Sequence, residues 1–185
     1  MDEKNKIPGV SFIKRNIGTI IGLILLVIIV SISTPKFLTS SNILNLLKSN
    51  SVNAIISCGM LLAILMGEID ISVGSTVGLS GIIGAYMITN VGLPVVPTVL
   101  ICLGVGALVG IVNGVAISYL KVPAFVATLA TQSIGRGLTE IISGGVTIRV
   151  RNTGYTALGN QNVAGISIII IYAAAVLIFT WFLLN

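Results

Sequence analysis

Residues 67–75 read Gly-Glu-Ile-Asp-Ile-Ser-Val-Gly-Ser and separate two apolar segments. An acidic side chain at the centre of a bilayer costs about 2.5–3.5 kcal/mol on insertion scales, so membrane proteins keep such groups where they face water or protein. One interpretation of the stretch is a solvated loop between two helices. The other, which we favour, is an interruption between two short helical segments, because unwound backbone is tolerated at membrane depth where it lines a cavity.

The composition indicates that a lipid bilayer is the main solvent of this chain. The 185 residues are 55% hydrophobic and 8% charged, with a mean hydropathy of +1.11, whereas soluble domains carry about 25% charged residues. A helical span needs about 20 apolar residues, so the length suffices for five or six spans and leaves no room for a soluble domain. We predict an all-α, polytopic membrane protein with about six transmembrane or re-entrant helices, forming one domain over residues 1–185.

The residues that the chain lacks exclude several kinds of active site. It contains no histidine, which excludes a Ser-His-Asp triad, a Cys-His dyad and a His-ligated metal. Cys58 and Cys102 each lie inside an apolar segment, where we expect them to pack as small hydrophobic side chains. Neither a nucleophile–base pair nor a metal-ligand spacing is visible, so we predict no catalytic residue, no metal and no cofactor.

The first half of the chain predicts three spans and one short interfacial helix. Residues 17–33 form an apolar run that is longer than the core of a signal peptide and lacks a cleavage site. Residues 34–50, after the helix-stopping Pro35, predict a short amphipathic helix at the membrane interface. This helix runs into a second span over about 52–66, and a third, rich in small residues, covers about 76–88.

The second half predicts three more helical segments. A turn at 90–97 precedes a fourth span over about 98–119. A fifth helix, over 124–142, is followed by a polar connection over 143–164, with a strand-like piece at 146–148. A sixth span covers 166–184.

The fifth helix carries more polar side chains than a lipid-facing helix tolerates. Arg136 and Glu140 are four positions apart, so they share a face and can pair. Either this helix lines a hydrated path or it packs polar-to-polar inside a bundle, and both interpretations keep it away from lipid. Its polar residues are Thr128, Thr131, Gln132, Ser133, Arg136, Thr139 and Glu140.

Three glycines in the fourth span form a flat ridge on one helix face. Gly106, Gly110 and Gly114 recur every four residues, and small residues at this spacing let two helix backbones approach closely. We therefore predict a helix-packing surface. The start Gly104-x-Gly106 does not indicate a dinucleotide-binding loop, because no strand precedes it.

The distribution of basic residues predicts the orientation. Four of them lie within residues 1–16, so the positive-inside rule predicts a cytoplasmic N-terminus. If all six segments cross, the 67–75 stretch also lies inside and Arg149 and Arg151 lie outside, whereas a re-entrant second or third segment would invert the later segments. The basic residues are scattered at segment ends, as expected of contacts with lipid headgroups and not of a nucleic-acid surface.

Three stretches together resemble a known family. Residues 67–75 closely resemble Gly-Gly-Ile-Asp-Leu-Ser-Val-Gly-Ser, the signature of ribose/xylose/galactoside-type ABC transporter permeases, although Glu68 stands where those proteins most often have Gly. Residues 122–129, with the Arg-Gly pair at 136–137, are similar to a second stretch of that family. Residues 37–43 are similar to the segment that comes after its first span, and the three stretches occur in the family's order.

The resemblance implies a multi-pass permease subunit in the bacterial inner membrane that translocates a monosaccharide by alternating access. It implies three kinds of partner: cytoplasmic ABC ATPase subunits, an extracytoplasmic sugar-binding protein, and a second permease subunit in a homo- or heterodimer. The chain has no phosphate-binding Gly-Lys-Ser/Thr motif, so ATP would be bound by the partner ATPase and this subunit would not itself be an enzyme.

The candidate site residues form two sets. In the signature motif, Asp70 precedes Ser72, a good helix-start signal, although its carboxylate could also bind a basic group of a neighbouring subunit or gate the path. The motif set is Gly67, Glu68, Asp70, Ser72, Gly74 and Ser75. Polar groups inside apolar helices suit a neutral sugar, but hydrogen bonding between helices explains them equally well. This translocation-path set is Asn53, Thr128, Thr131, Gln132, Ser133, Arg136 and Glu140.

Two further expectations concern the extent and the class of the protein. Family members are about twice as long as this chain and carry a cytoplasmic coupling segment, so we expect this chain to be the N-terminal part of a permease. An alternative hypothesis is a small self-contained membrane channel, or an assembly or regulatory subunit without ATPase partners. Co-purification of an ATPase would separate these hypotheses.

Overall fold

The computed structural model describes residues 15–185, and within this range the chain is almost entirely helical. Seven α-helices, one π-helical turn and one two-stranded antiparallel hairpin make up the described part. They are α1 (Ile17–Ser33), α2 (Ser40–Leu65), α3 (Val73–Tyr86), the π-turn (Met87–Val91), α4 (Val95–Ser118), α5 (Ala124–Ser143), α6 (Thr153–Asn160), β1 (Asn162–Val163), β2 (Ile166–Ser167) and α7 (Ile168–Leu184).

Six of these helices correspond to the six predicted membrane segments, so the all-α, polytopic membrane fold is confirmed. By length and composition, α2 and α4 are long and apolar enough to cross a membrane, and α1 and α7 are apolar helices of 17 residues. Large apolar side chains lie exposed along these helices, for example Leu23, Leu103 and Phe182. Such exposure is unfavourable in water but not in lipid, where only fully hydrogen-bonded elements span.

The chain divides into two compact units, residues 1–47 and residues 48–185. In the first unit, α1 ends at Ser33, and Thr39 prepares the start of α2 by accepting a 3.4 Å hydrogen bond from the Asn42 amide. The basic segment that predicts the orientation lies mostly in residues 1–14, outside the described residues.

The second unit is organised around α3. This helix packs against both α5 and α4, which also contact each other. The buried residues of this unit are mostly small or hydroxyl-bearing, with Leu79 and Ile88 as large aliphatic ones, and the side chains of Ser72, Thr98 and Thr128 are fully buried. Small residues at helix interfaces allow close backbone approach, which is how helices associate where lipid competes for apolar contacts.

The predicted short interfacial helix is not a separate element. Helix α2 runs without a break over 26 residues, from Ser40 to Leu65, and therefore combines the segment predicted at the interface with the second span. The physical reason is that the junction, residues 49–53, contains neither Gly nor Pro, so nothing there ends a helix.

The polar connection after α5 also differs from the prediction. Residues 146–148 form no strand; the described strands of this connection lie at 162–163 and 166–167, which pair as a hairpin. Before the hairpin, Asn152 begins the short helix α6, because its side-chain oxygen accepts a 3.0 Å hydrogen bond from the Tyr155 amide. An Asn N-cap was present in the sequence, but an eight-residue helix gives little periodic signal.

Candidate functional site

The first residue of the signature motif, Gly67, ends helix α2. Gly67 has a left-handed backbone, with φ of 80°, and its N–H donates to the Ile64 carbonyl at 2.9 Å while the Glu68 N–H donates to the Ala63 carbonyl at 3.1 Å. This pair of bonds is the Schellman arrangement, in which glycine adopts the conformation that other residues rarely take. Gly67 therefore sets the direction in which the two acidic residues leave the helix.

The middle of the motif starts α3. The Asp70 Oδ1 atom accepts two hydrogen bonds from Ser72, one from its amide at 2.8 Å and one from its hydroxyl at 2.6 Å. Helix α3 begins at Val73, as the helix-start signal predicts. A carboxylate at this position also interacts favourably with the positive end of the helix dipole.

A chain of hydrogen bonds connects the motif to two other helices. The Thr131 hydroxyl on α5 donates to Asn113 Oδ1 on α4 at 2.6 Å, and Asn113 Nδ2 donates to the Ser72 hydroxyl at 2.9 Å. The Ser72 hydroxyl in turn donates to Asp70, so the chain runs in one direction and ends on a carboxylate. Hydrogen bonds linked in this way polarise one another in a low-dielectric interior.

A cavity of about 390 Å³, which we call the motif cavity, lies beside this chain of hydrogen bonds. Its volume falls within the range of about 300–1,000 Å³ that is common for small-molecule sites. The Asp70 and Asn113 side chains reach it together with apolar surface, and Asp70 is half-buried. Its lining residues are Ala63, Met66, Glu68, Ile69, Asp70, Gly110, Asn113, Gly114, Ile117, Ser118, Ala124 and Thr128.

A second cavity of about 450 Å³ adjoins the motif cavity and shares Glu68 and Ile69 with it. Glu68, which is half-buried, and the exposed Lys121 both line this space. Glu68, which stands where the sugar-permease signature most often has Gly, thus lies on the wall of both cavities.

Comparison with known proteins gives the family. A model of the permease component of branched-chain amino acid transport systems matches residues 42–185. The chain belongs to this permease family. No solved structure matches the chain significantly.

Individual relatives of this permease chain are named as sugar permeases, which confirms the resemblance to that group. The ribose import permease protein RbsC of Haemophilus influenzae is 38% identical over 89% of this chain and 52% of its own length. RbsC of Bacillus subtilis is 39% identical over 94% of this chain and 54% of its own length. The xylose transport system permease protein XylH of Escherichia coli is 34% identical over 68% of this chain and 32% of its own length. The chain spans about half the length of the two ribose permeases.

The structure distributes the predicted path residues of this permease chain over different environments. Thr128 is buried and lines the motif cavity, and Thr131 belongs to the hydrogen-bond chain. Gln132 is half-buried, whereas Ser133 is exposed and donates to the Leu129 carbonyl of its own helix at 3.0 Å. Asn53 is exposed on α2 and is absent from the residues that line the motif cavity.

Arg136 and Glu140, which share a face of α5 and could pair, form no ion pair with each other in the described structure. Both residues are exposed on α5, and no ion pair joins any two of the residues that the structure describes. Two long exposed side chains lose conformational entropy when they pair and gain little in return, so a shared helix face is not sufficient.

The glycine ridge of α4 has no helix against it in the described part of the chain. A Cβ atom built on Gly106, Gly110 or Gly114 would meet nothing within 4 Å. Gly110 and Gly114 instead border the motif cavity, and their role in helix packing stays a prediction. Close contacts between helices occur elsewhere, for example at Gly135 of α5, where a Cβ would lie 3.0 Å from the Ser75 hydroxyl.

Sequence reasoning missed Asn113, which the structure places at the centre of the hydrogen-bond chain. Asn113 is 6% exposed. The signal was available, because an isolated amide in an otherwise apolar span is expensive unless it bonds to another helix. The partner could not be read from the sequence, since Ser72 is 41 positions away.

Proposed function

We propose that this chain is part of the membrane-spanning permease of an ABC importer that moves a monosaccharide across the bacterial inner membrane. The relatives named for ribose and xylose import support this substrate class. In this proposal the chain supplies alternating access and has no ATPase site of its own, and ATP is hydrolysed by cytoplasmic ATPase partners. An extracytoplasmic sugar-binding protein and a second permease subunit complete the assembly.

We place the motif cavity on the sugar's path. The observation that carries this is the Asp70 carboxylate: its Oδ1 atom is held by Ser72, while its Oδ2 atom takes part in none of the hydrogen bonds between described residues. A carboxylate oxygen that faces a cavity accepts hydrogen bonds from sugar hydroxyls, and the Asn113 and Thr128 side chains add polar groups to the same wall. Mixed apolar and convergent polar lining is typical of small-molecule sites.

Replacing Asp70 with asparagine tests this proposal. The new amide would keep the size of the side chain but lose the charge-assisted hydrogen bonds to Ser72, which contribute about 1.5–3 kcal/mol, so we expect uptake of labelled ribose or xylose to fall about tenfold or more. The protein should still insert in the membrane at normal abundance. Asn162→Ala, in the exposed hairpin, is the control and should transport normally. Full uptake by Asp70→Asn would contradict the proposal that Asp70 lies on the sugar's path.

Co-purification separates the importer from a self-contained channel. We expect an ABC ATPase to be recovered with this protein from its own cells and uptake to require ATP hydrolysis. Uptake that continues without ATP hydrolysis, with no ATPase recovered, would favour the channel.

A further inference from the structure

A larger cavity, of about 580 Å³, lies at the opposite end of the helices from the signature motif. We call it the far cavity. The motif is at the start of α3 and near the end of α4, whereas the far cavity is lined by Ser80, in the second half of α3, and by Val99 and Cys102, near the start of α4. It is therefore separate from the proposed sugar path.

The walls of the far cavity are mainly apolar and come from several helices. Val52 and Ile55 of α2, Val99 and Leu103 of α4, and Ile169 of α7 all contribute to them. Apolar walls of this kind in a membrane protein suit a hydrocarbon chain, which gains from contact and has no polar group to satisfy.

The short helix α6 adds polar groups to the far cavity. Tyr155, Thr156 and Asn160 all line it. Tyr155 reaches between α3 and α4, because Gly84 leaves room for its ring beside the Cys102 thiol. Burial, together with the neighbouring Cys102, raises the pKa of Tyr155 above its ordinary value. One region of the wall thus offers hydrogen bonds and the rest offers apolar contact.

Three cations lie beside residues that line the far cavity, although none of the three is itself a lining residue. The Lys48 ammonium donates a 2.8 Å hydrogen bond to Oδ1 of Asn160, a lining residue, and Lys48 lies one helical turn before Val52. Arg149 and Arg151 are exposed on either side of Val150, which also lines the cavity.

No described carboxylate neutralises these cations. None of the three forms an ion pair with a described residue. Glu68 and Asp70 lie at the motif end. Glu140 is exposed near the end of α5 that lies away from the motif and, like the three cations, is not itself a lining residue of the far cavity. The described charged residues that are bonded to a lining residue or adjacent to one in sequence are therefore all cations.

We propose that the far cavity is a binding site for an anionic phospholipid, with an acyl chain between the apolar walls and the phosphate bound by Lys48, Arg149 and Arg151. The apolar walls alone would accept any hydrocarbon, but the unpaired cations select a negatively charged headgroup. The Asn160 amide holds Lys48 at the margin of the cavity without neutralising it. This site is independent of the proposed transport of sugar.

Native mass spectrometry of the purified protein in detergent tests the proposal. Phosphatidylglycerol and phosphatidylcholine with identical acyl chains would be titrated separately, and we expect a single saturable adduct that is stronger for phosphatidylglycerol. A cation near an anionic lipid contributes about 1 kcal/mol, which corresponds to about fivefold in affinity. Lys48→Gln and Arg151→Gln should therefore each lower the affinity for phosphatidylglycerol about fivefold and leave the affinity for phosphatidylcholine unchanged.

Two further variants test the location of the site. Lys121→Gln removes a cation from the motif end, so it is the matched control and should bind phosphatidylglycerol normally. Val52→Trp fills the far cavity from a position that is 41% exposed, where a larger side chain is tolerated, and should weaken both lipids. Equal affinity for the two lipids would overturn the proposal. So would a loss of affinity for phosphatidylglycerol in Lys121→Gln that is as large as the loss in Lys48→Gln.

Discussion

Asn113 shows how one polar side chain determines which helices pair. Its amide both donates to Ser72 and accepts from Thr131, so α4 is bonded to the start of α3 and to the middle of α5 at one point. An apolar helix has many nearly equivalent rotations in lipid, since most of its faces are alike. A buried amide removes that freedom, because only one rotation satisfies both of its bonds.

We expect Asn113→Ala to destabilise the protein by about 1 kcal/mol, because it removes two interhelical hydrogen bonds that contribute about 0.6 kcal/mol each in membrane proteins. The loss is limited because the Thr131 hydroxyl can turn fully to the Ala127 carbonyl, 2.9 Å away. Unfolding of the detergent-solubilised protein at increasing denaturant concentration would measure the change in the free energy of unfolding.

Asn53→Ala is the matched control. Asn53 is exposed, and its backbone carbonyl accepts a 2.8 Å hydrogen bond from the Ser57 hydroxyl, which the substitution leaves in place. The free energy of unfolding should therefore stay nearly unchanged. Equal effects of the two substitutions would show that the bonds of Asn113 do not hold the helices together.

At the scale of elements, a close helix contact joins α3 and α5 through Gly135. A Cβ at Gly135 would lie 3.0 Å from the Ser75 hydroxyl and 3.2 Å from the Ser75 Cβ. Ser75 is itself held by a 2.8 Å hydrogen bond to the Ser72 carbonyl. The contact therefore supports the same turn that positions Asp70, and the glycine of α5 serves the motif of α3.

We predict that Gly135→Leu separates α3 from α5 and destabilises the protein by about 1–3 kcal/mol, the usual cost of overpacking a close contact. The displacement would also disturb Ser72, so sugar uptake should fall. Both effects are measurable, the first by unfolding in detergent and the second by transport in cells.

Gly137→Leu, two residues further along α5, provides the comparison. Gly137 is exposed, and a Cβ there meets nothing within 4 Å, so this substitution should be neutral or slightly stabilising, since leucine favours a helix more than glycine does. If Gly135→Leu were tolerated as well as Gly137→Leu, the close contact would not be required.

At the scale of the whole molecule, the helices place cavities with different chemistry at opposite ends. The motif end carries Glu68, Asp70 and Lys121, and the far end carries Lys48 with Arg149 and Arg151. The positive-inside prediction rests on the N-terminal segment and assigns the motif end to the cytoplasm. Orientation therefore decides which side of the membrane each cavity faces.

Cysteine labelling would measure that orientation. With Cys58 and Cys102 replaced by Ala, we expect Asn162→Cys to react with a membrane-impermeant maleimide in intact spheroplasts. Tyr119→Cys, at a position that is 81% exposed at the motif end, should react only after the membrane is permeabilised. The reverse pattern would place the N-terminus outside and the motif on the external face.

The sequence by itself determined the solvent, the six apolar helical segments and most of their bounds. The apolar run at 17–33 coincides with α1, and the acidic motif ends one helix and begins another as its Gly, Asp and Ser residues predict. These features come from local physics: the length needed to cross a bilayer, the conformations open to glycine and the bonds that a short carboxylate makes to the backbone beside it.

Only the tertiary structure decided which residues act together. Asn113 bonds to Ser72 from 41 positions away, Lys48 reaches Asn160 from 112 positions away, and Arg136 and Glu140 stay apart although they share a helix face. Pairing between helices depends on their relative rotation and depth, which the sum of many small packing contacts determines. The spacing of residues along a single helix does not predict this rotation and depth. The cavities and their polar walls could therefore be identified only in the folded chain.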